Sequence, residues 1–283
     1  MVGSDVCGFN YDTNPTLCAR WAVLGAWNPF YRNHAEISTI HQEFYRWELT
    51  ADAARKAIDI RYRLLDYMYS ALYRQTVEGL PMLTPTMWQY PDDGNTFDLD
   101  LQFFFGEAFF VAPVTEPESK SVTFYMPDDT FYDFSTLKKV EDSGAEITVE
   151  NIDYDSIPVY VRGGNVVPLR LTSASTTTAL RKQGFELIVA PDANGAATGL
   201  LYLDDGESIQ PSATSLLYFS YADGTLSSNG TYSYDPSVSI QRLTVLDVEF
   251  SSCKGYNQTA KSLTFDVTLS LTRTFVVDIL NTC

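Results

Sequence analysis

Histidine is scarce, with only His34 and His41 in 283 residues, and the four cysteines include no C-x-x-C pair. That scarcity argues against a zinc site, which draws its ligands chiefly from those two residue types. Missing as well are G-x-S-x-G, G-x-x-x-x-G-K-[ST] and H-E-x-x-H, so no nucleophile elbow, phosphate-cradling loop or zincin helix can be read. No metal and no cofactor is expected. Basic side chains are also few: 19 Lys and Arg stand against 36 Asp and Glu, for a formal net charge of −17. Such a chain repels phosphate backbones and feels no long-range pull toward anionic lipid, so neither nucleic acid nor a membrane is expected as a partner. Long hydrophobic runs are lacking. Phe103 to Val114 is interrupted by Gly106, Glu107 and Pro113, well short of the roughly 20 apolar residues a membrane-spanning helix needs. The opening residues show no basic stretch followed by an apolar one, so no signal peptide is read there.

What is present is a globular composition, 45% hydrophobic and 14% aromatic, enough to build cores in a chain of this length. Asn229-Gly-Thr231 and Asn257-Gln-Thr259 are N-glycosylation acceptors, and Asn281-Thr-Cys283 fits the rarer cysteine form. Cys7 lies near Cys18, and Cys253 near Cys283; of the three connectivities, neighbour pairing is the simplest, with buried thiols as the alternative. A disulfide together with sequons points to a secreted protein or a secretory-pathway lumen.

The chain changes texture along its length. Met1 to Val6 and Trp27 to Tyr31 read as short strands, and Thr13 as the N-cap of a helix over 15–27. Thr50 then caps a long helix to about Val77, where Ala54, Ile58, Tyr62, Leu65, Tyr69 and Leu72 recur at helical spacing and Gly79 stops it. Strand, helix, strand, helix is the repeat of a parallel α/β sheet. Two such units cannot close a barrel, so something must complete it. Beyond Pro81 the chain reads as strands and turns: Gln102–Val111, Ser121–Met126, Ile147–Val149, Pro158–Val161 and Asn165–Leu169. After the low-complexity link Leu171–Leu180 come Phe185–Val189, Gly199–Leu203, Leu216–Tyr221, Arg242–Phe250, Ser262–Leu269 and Thr274–Ile279. The expected fold class is α/β plus all-β: barrel units over 1–80, then antiparallel β-sandwich domains over 81–180 and 181–283.

Chemistry concentrates at the ends of the two early strands. Asp5 and Phe9 follow the first; Arg32, Asn33 and His34 follow the second. At the C-terminal rim of a parallel barrel, an acid, a cation, an amide and an imidazole can hold a polyol while Phe9 offers a sugar ring an apolar face. An Asp5–Arg32 pair that simply ties two loops together is an equal reading. LDDGES, residues 203–208, lacks the alternating acidic ligands of a calcium loop and reads as a hairpin turn. The phenylalanines of 103–110 read as sandwich core in preference to a sugar-stacking platform.

The segments GSDVCGF, LCARW, LGAWNPFYRNH, EFYRWE, IRYRLLDYMYSALY, GLPMLTP, FFFGEAFFVAPV, IPVYVRGGNVVPL and LYLDDGES resemble, in order and spacing, the late-barrel and following regions of family 31 glycoside hydrolases, the α-glucosidase group. The likeness runs to about residue 210. It implies that GSDVCGF lies at barrel strand seven and RNH at strand eight, so that the chain is the carboxyl portion of a larger enzyme. The family's nucleophile motif, W-x-D-M-N-E, and its acid/base motif, G-D-N, are absent, which leaves no catalytic carboxylate expected in this chain. By resemblance, His34 binds hydroxyls of the sugar in subsite −1, Asp5 lines or braces that pocket, and Phe9 forms an apolar wall. Cys7 and Cys18 match cysteines of many relatives. Where the family often has R-N-H-N, this chain has Ala35 after His34. Family 31 enzymes retain anomeric configuration, which requires two carboxyl groups about 5 Å apart. The implied partners are the amino-terminal part carrying those carboxylates and maltose or α-glucan oligosaccharides. Isolated, the chain is expected to be inactive. The competing expectations are a non-catalytic sugar-binding or scaffold remnant and another specificity, α-xylosidase or α-1,6.

Overall fold

Asn14 opens the first helix of the computed structural model, which describes residues 1–250 and 253–281. Its Oδ1 accepts the Leu17 amide at 2.9 Å, its backbone is extended (φ −134°, ψ 168°), and Pro15 supplies a pre-set φ at the first helical position. The cap is therefore one residue beyond the expected Thr13, whose Oγ1 is buried without a partner. Helix α1 (Pro15–Gly25) is flanked by β1 (Asp5–Val6) and β2 (Arg32–Asn33), which pair in parallel with Asp5 opposite Arg32 and Val6 opposite Asn33. The second strand lies downstream of the expected 27–31, because Trp27 and Asn28 close turns back onto Leu24 and Gly25 and are packed away. The single long helix expected after it is two, α2 (Glu48–Arg63) and α3 (Leu65–Glu78), parted at Leu64 (φ −91°, ψ 2°). Thr50 does not cap. It sits inside α2 with its Oγ1 donating to Pro15 O at 3.0 Å. Gly79 ends α3 in the left-handed region, as the pattern required.

The chain continues through β3 (Leu83–Pro85), α4 (Thr86–Gln89), β4 (Phe103–Phe105), β5 (Phe109–Val111), β6 (Val122–Met126), β7 (Phe131–Asp133), β8 (Ala145–Val149), β9 (Val159–Arg162) and β10 (Asn165–Arg170). After α5 (Thr177–Leu180) come β11 (Phe185–Ala190), β12 (Ala197–Leu203), β13 (Ser215–Ala222), β14 (Thr225–Tyr232), β15 (Ser239–Val245), β16 (Tyr256–Asn257), β17 (Ser262–Ser270) and β18 (Phe275–Asp278). The expected strand 102–111 is a hairpin, β4–β5, that reverses at Gly106. The chain forms two compact units, one of 1–61, 82–128 and 142–160, the other of 62–81, 129–141 and the residues from 161 on.

In the first unit α1 buries small residues on two sides. Cys18 and Ala22 pack with Val6 and Ala54, while Ala19, Val23 and Ala26 pack with Ala53 and Ala57. Trp27 follows α1 and sets its ring 5.5 Å from Phe105, edge-on, and 5.3 Å from Phe109. Phe104, Phe105, Phe109 and Phe110 are fully buried, and Phe110 packs 5.8 Å from Phe124. The aromatic run is thus core, each ring contributing about 3–5 kcal/mol against truncation. Arg20 ties the helix to two loops by donating to the carbonyls of Ser119, Ile152, Asp153 and Ser156 at 2.7–3.0 Å.

In the second unit nine strands form one sheet in the order β16-β17-β15-β11-β10-β12-β13-β14-β18, antiparallel except for the β11–β15 and β10–β12 pairs. Residues from β10 through β18 share one apolar cluster, so the sheet curls around its own inner face. Helix α3 lies against β10 and β12: Tyr73 stacks on Tyr202 at 4.1 Å, and Ser70 Oγ accepts the Tyr202 amide at 2.9 Å.

Candidate functional site

Both expected site loops lie in the first unit, each following one strand of the parallel pair. After β1 the backbone turns through two consecutive left-handed residues, Cys7 (φ 73°) and Gly8 (φ 92°), with the Gly8 amide donating to Asp5 O at 3.0 Å. Glycine suits the second position because residues with a side chain rarely adopt that φ; Cys7 bears the strain and is anchored by a disulfide to Cys18. The expected near pairing is therefore present. Cys283, the far end of the second expected pairing with Cys253, lies outside the described residues.

The turn delivers Phe9 to the loop after β2. The Glu36 amide donates to Phe9 O at 2.9 Å, and the rings of Phe9 and His34 lie 5.3 Å apart at 34°. Both side chains are exposed. Arg32 Nη2 donates to Asp5 Oδ1 at 2.6 Å, across the register that sets the two residues opposite each other. Of the four expected residues, the structure thus makes two pairs, Asp5 with Arg32 and Phe9 with His34. Just before β2, burial pushes the Tyr31 hydroxyl pKa up, so it stays protonated and donates to Ala22 O at 2.9 Å.

One residue central to this geometry escaped the sequence reading. Gln42, 4% exposed, directs its Nε2 to Val6 O, Gly8 O, Asn33 Oδ1 and His34 O at 3.0–3.3 Å. Asn33 returns a hydrogen bond to Gln42 O at 2.9 Å. A single amide therefore bridges the ends of both strands and the backbone of His34. Nothing in the sequence signals this, since Gln42 stands in a stretch without periodicity between His41 and Glu43.

Two other carboxylates of these loops are engaged locally. Asp12 Oδ1 accepts the Ile40 amide at 2.9 Å, and Glu36 Oε2 accepts the Ser38 amide and hydroxyl. Together the loops offer an imidazole beside an apolar ring, and an ion pair. Chemically, this set is suited to hydroxyls and to the apolar face of a ring.

The exposed sequon asparagines lie elsewhere, Asn229 on β14 and Asn257 on β16. No helix among the described residues is long and apolar enough to cross a membrane.

Residues 1–71 match the glycosyl hydrolases family 31 TIM-barrel domain, and residues 79–167 match the glycosyl hydrolase family 31 C-terminal domain. The chain is 49% identical over 284 residues to a probable alpha/beta-glucosidase of Aspergillus fumigatus, a match covering 99% of this chain and 32% of that protein. With an alpha-glucosidase of Schizosaccharomyces pombe it shares 40% identity over 249 residues, 87% of this chain and 26% of the other. Among solved structures, a glucosidase II alpha subunit matches with TM-score 0.87 at 23% identity, over 97% of this chain and 34% of that one. A Flavobacterium johnsoniae family 31 dextranase gives a TM-score of 0.79 at 20% identity, over 97% and 39%. The chain spans about a third of the length of the curated relatives it matches. The family resemblance and fold class expected from the sequence are borne out: this chain belongs to glycosyl hydrolase family 31 and carries part of that family's TIM-barrel domain followed by its C-terminal β region.

Proposed function

We propose that this chain is the carboxyl part of a retaining, exo-acting α-glucosidase that releases terminal α-1,4-linked glucose from maltose and α-glucans. The observation that carries this reading is the exposed Phe9–His34 pair at the ends of two parallel strands, bridged through the buried Gln42. In this role Phe9 packs on an apolar sugar face and His34 holds hydroxyls of the distorted ring, while the Asp5–Arg32 pair lines and braces the pocket. The nucleophile and acid/base belong to a part of the enzyme beyond this chain, held against β1 and β2. Two features support that: the parallel sheet here has only two strands among the described residues, and Tyr11 and Ile37 beside it are almost fully exposed. Residues 1–80 would carry the last βα units of the barrel, with a proximal β domain to about 180 and a distal one beyond. The Cys7–Cys18 disulfide and the exposed sequons support a secretory location.

Because hydroxyl contacts strengthen as the oxocarbenium-like transition state forms, His34 contributes more to kcat than to KM. In the intact protein His34→Ala should lower kcat on p-nitrophenyl α-glucoside about 100-fold, equivalent to about 3 kcal/mol, with a smaller change in KM. The first sugar released should be the α-anomer by NMR. Cleavage of the β-glucoside or α-xyloside with no cleavage of the α-glucoside would overturn the specificity. An intact protein inactive on all three, yet binding maltose, would indicate the non-catalytic reading instead.

A further inference from the structure

The LDDGES segment takes no part in the site described above. In the second unit it helps form an open cleft of about 510 Å³, lined by α3, by α5 and the two residues after it, by the loop following β12, and by Tyr234 with Pro236. That volume lies in the range of small-molecule sites, about 300–1,000 Å³.

The cleft is cross-braced. Asp205 Oδ1 accepts the Glu207 and Ser208 amides at 3.0 and 2.9 Å, which fixes the turn. Gly206 lies at φ +70°, and a Cβ there would fall 2.5 Å from Arg181 Nη1, so glycine lets the loop close on that guanidinium. Arg181 Nη2 donates to Asp204 O and, at 3.0 Å, to Tyr234 Oη, while Tyr69 Oη donates to Asp204 Oδ2 at 2.7 Å. Two tyrosines on separate elements are thereby held through one buried aspartate and one arginine. Tyr69 as a residue remains 40% exposed.

Charge decides the ligand class. The cations lining the cleft, Arg170, Arg181 and Lys182, are equalled in number by Asp66, Asp205 and Glu207. A phosphate or an ammonium ligand therefore meets no net counter-charge. A neutral polyol meets what it needs: tyrosine for the apolar face of a ring, and the exposed Thr177, Thr178, Lys182 and Glu207 at the rim for hydroxyls.

We propose that this cleft is a second, non-catalytic binding site for a neutral oligosaccharide, an α-glucan chain. The choice of an α-glucan rests on the function proposed above; the neutral-sugar chemistry rests on the cleft alone. The test is calorimetric binding of maltoheptaose to the intact protein whose active site is saturated with 1-deoxynojirimycin. Saturable binding should persist, and should weaken at least fivefold in Tyr69→Ala and in Thr178→Arg. Thr178 is exposed, so the arginine fills the cleft from its rim without disturbing a buried contact. Both variants should cleave p-nitrophenyl α-glucoside at the unaltered rate. Loss of all maltoheptaose binding on saturation with the iminosugar, or undiminished binding in Thr178→Arg, would overturn the proposal. Failure to cleave the chromogenic glucoside overturns the activity instead, and leaves the maltoheptaose result to decide the cleft.

Discussion

Arg170 carries its charge at 1% exposure, and each nitrogen of its guanidinium has an acceptor. Asp66 receives Nε and Nη2 at 2.7 and 2.8 Å, Gln183 O accepts Nη1 at 2.7 Å, and the Phe185 ring lies 3.9 Å from Cζ. Removing one partner of a buried pair leaves the other ion without compensation, at about 3–5 kcal/mol. Asp66→Ala should therefore shift the denaturant midpoint strongly, and Asp66→Ala with Arg170→Met should recover a large part of the loss. A double variant no more stable than the single one would show that the pair matters through its shape and not its charge. Residue by residue, sequence legibility follows the locality of the signal. The Cys7–Cys18 pairing and the Gly79 stop depend on near neighbours and could be read. Gln42 could not, because its acceptors at Val6 and Gly8 lie 34 to 36 positions away. Nor could Asn14 be told from Thr13 as cap, because both residue types suit the extended backbone of that position.

At the scale of elements, the first turn of α1 is pinned by a carboxylate. Glu118 accepts Thr16 Oγ1 at 2.6 Å and Tyr154 Oη at 3.0 Å. These bonds, the Thr16 one first, hold its carboxyl below its ordinary value of 4.5. A folded value below the unfolded one means stability gained above about pH 4.5 and lost as pH falls through the folded value. Thermal midpoints of wild type and Glu118→Gln should differ at neutral pH and converge in acid. A gap that stays constant with pH would assign the effect to packing. The helices were legible because their apolar residues recur over several turns. Their parting at Leu64 was not, since the apolar stripe passes from Tyr62 to Leu65 without a break in spacing. Strand β14 was missed for the opposite reason: TLSSNGTY has no clear apolar alternation, and hydrogen bonding to β13 and β18 makes it a strand.

For the whole molecule, a formal charge of −17 favours solubility and opposes association with polyanions. If the protein passes through the secretory pathway, the two exposed Asn-x-Thr sequons at Asn229 and Asn257 are open to modification. Peptide mapping of the protein from its native source should find glycan on Asn229 or Asn257, seen as Asp after enzymatic deglycosylation. Unmodified asparagine at both positions would remove the main support for that route. Order and class of the large segments were legible from composition and turn spacing. The grouping of distant segments into units was not, because it is set by side-chain packing between stretches far apart in sequence.

Trp27 gives that grouping a practical edge. It lies within the stretch matching the barrel domain, while the rings it packs against, Phe105 and Phe109, lie within the stretch matching the C-terminal domain. Recombining family members at the junction near residue 75 would pair an indole from one parent with phenylalanines from another. Shuffled libraries should keep these three positions together, or select compensating changes at them, if the loops after β1 and β2 are to hold their shape.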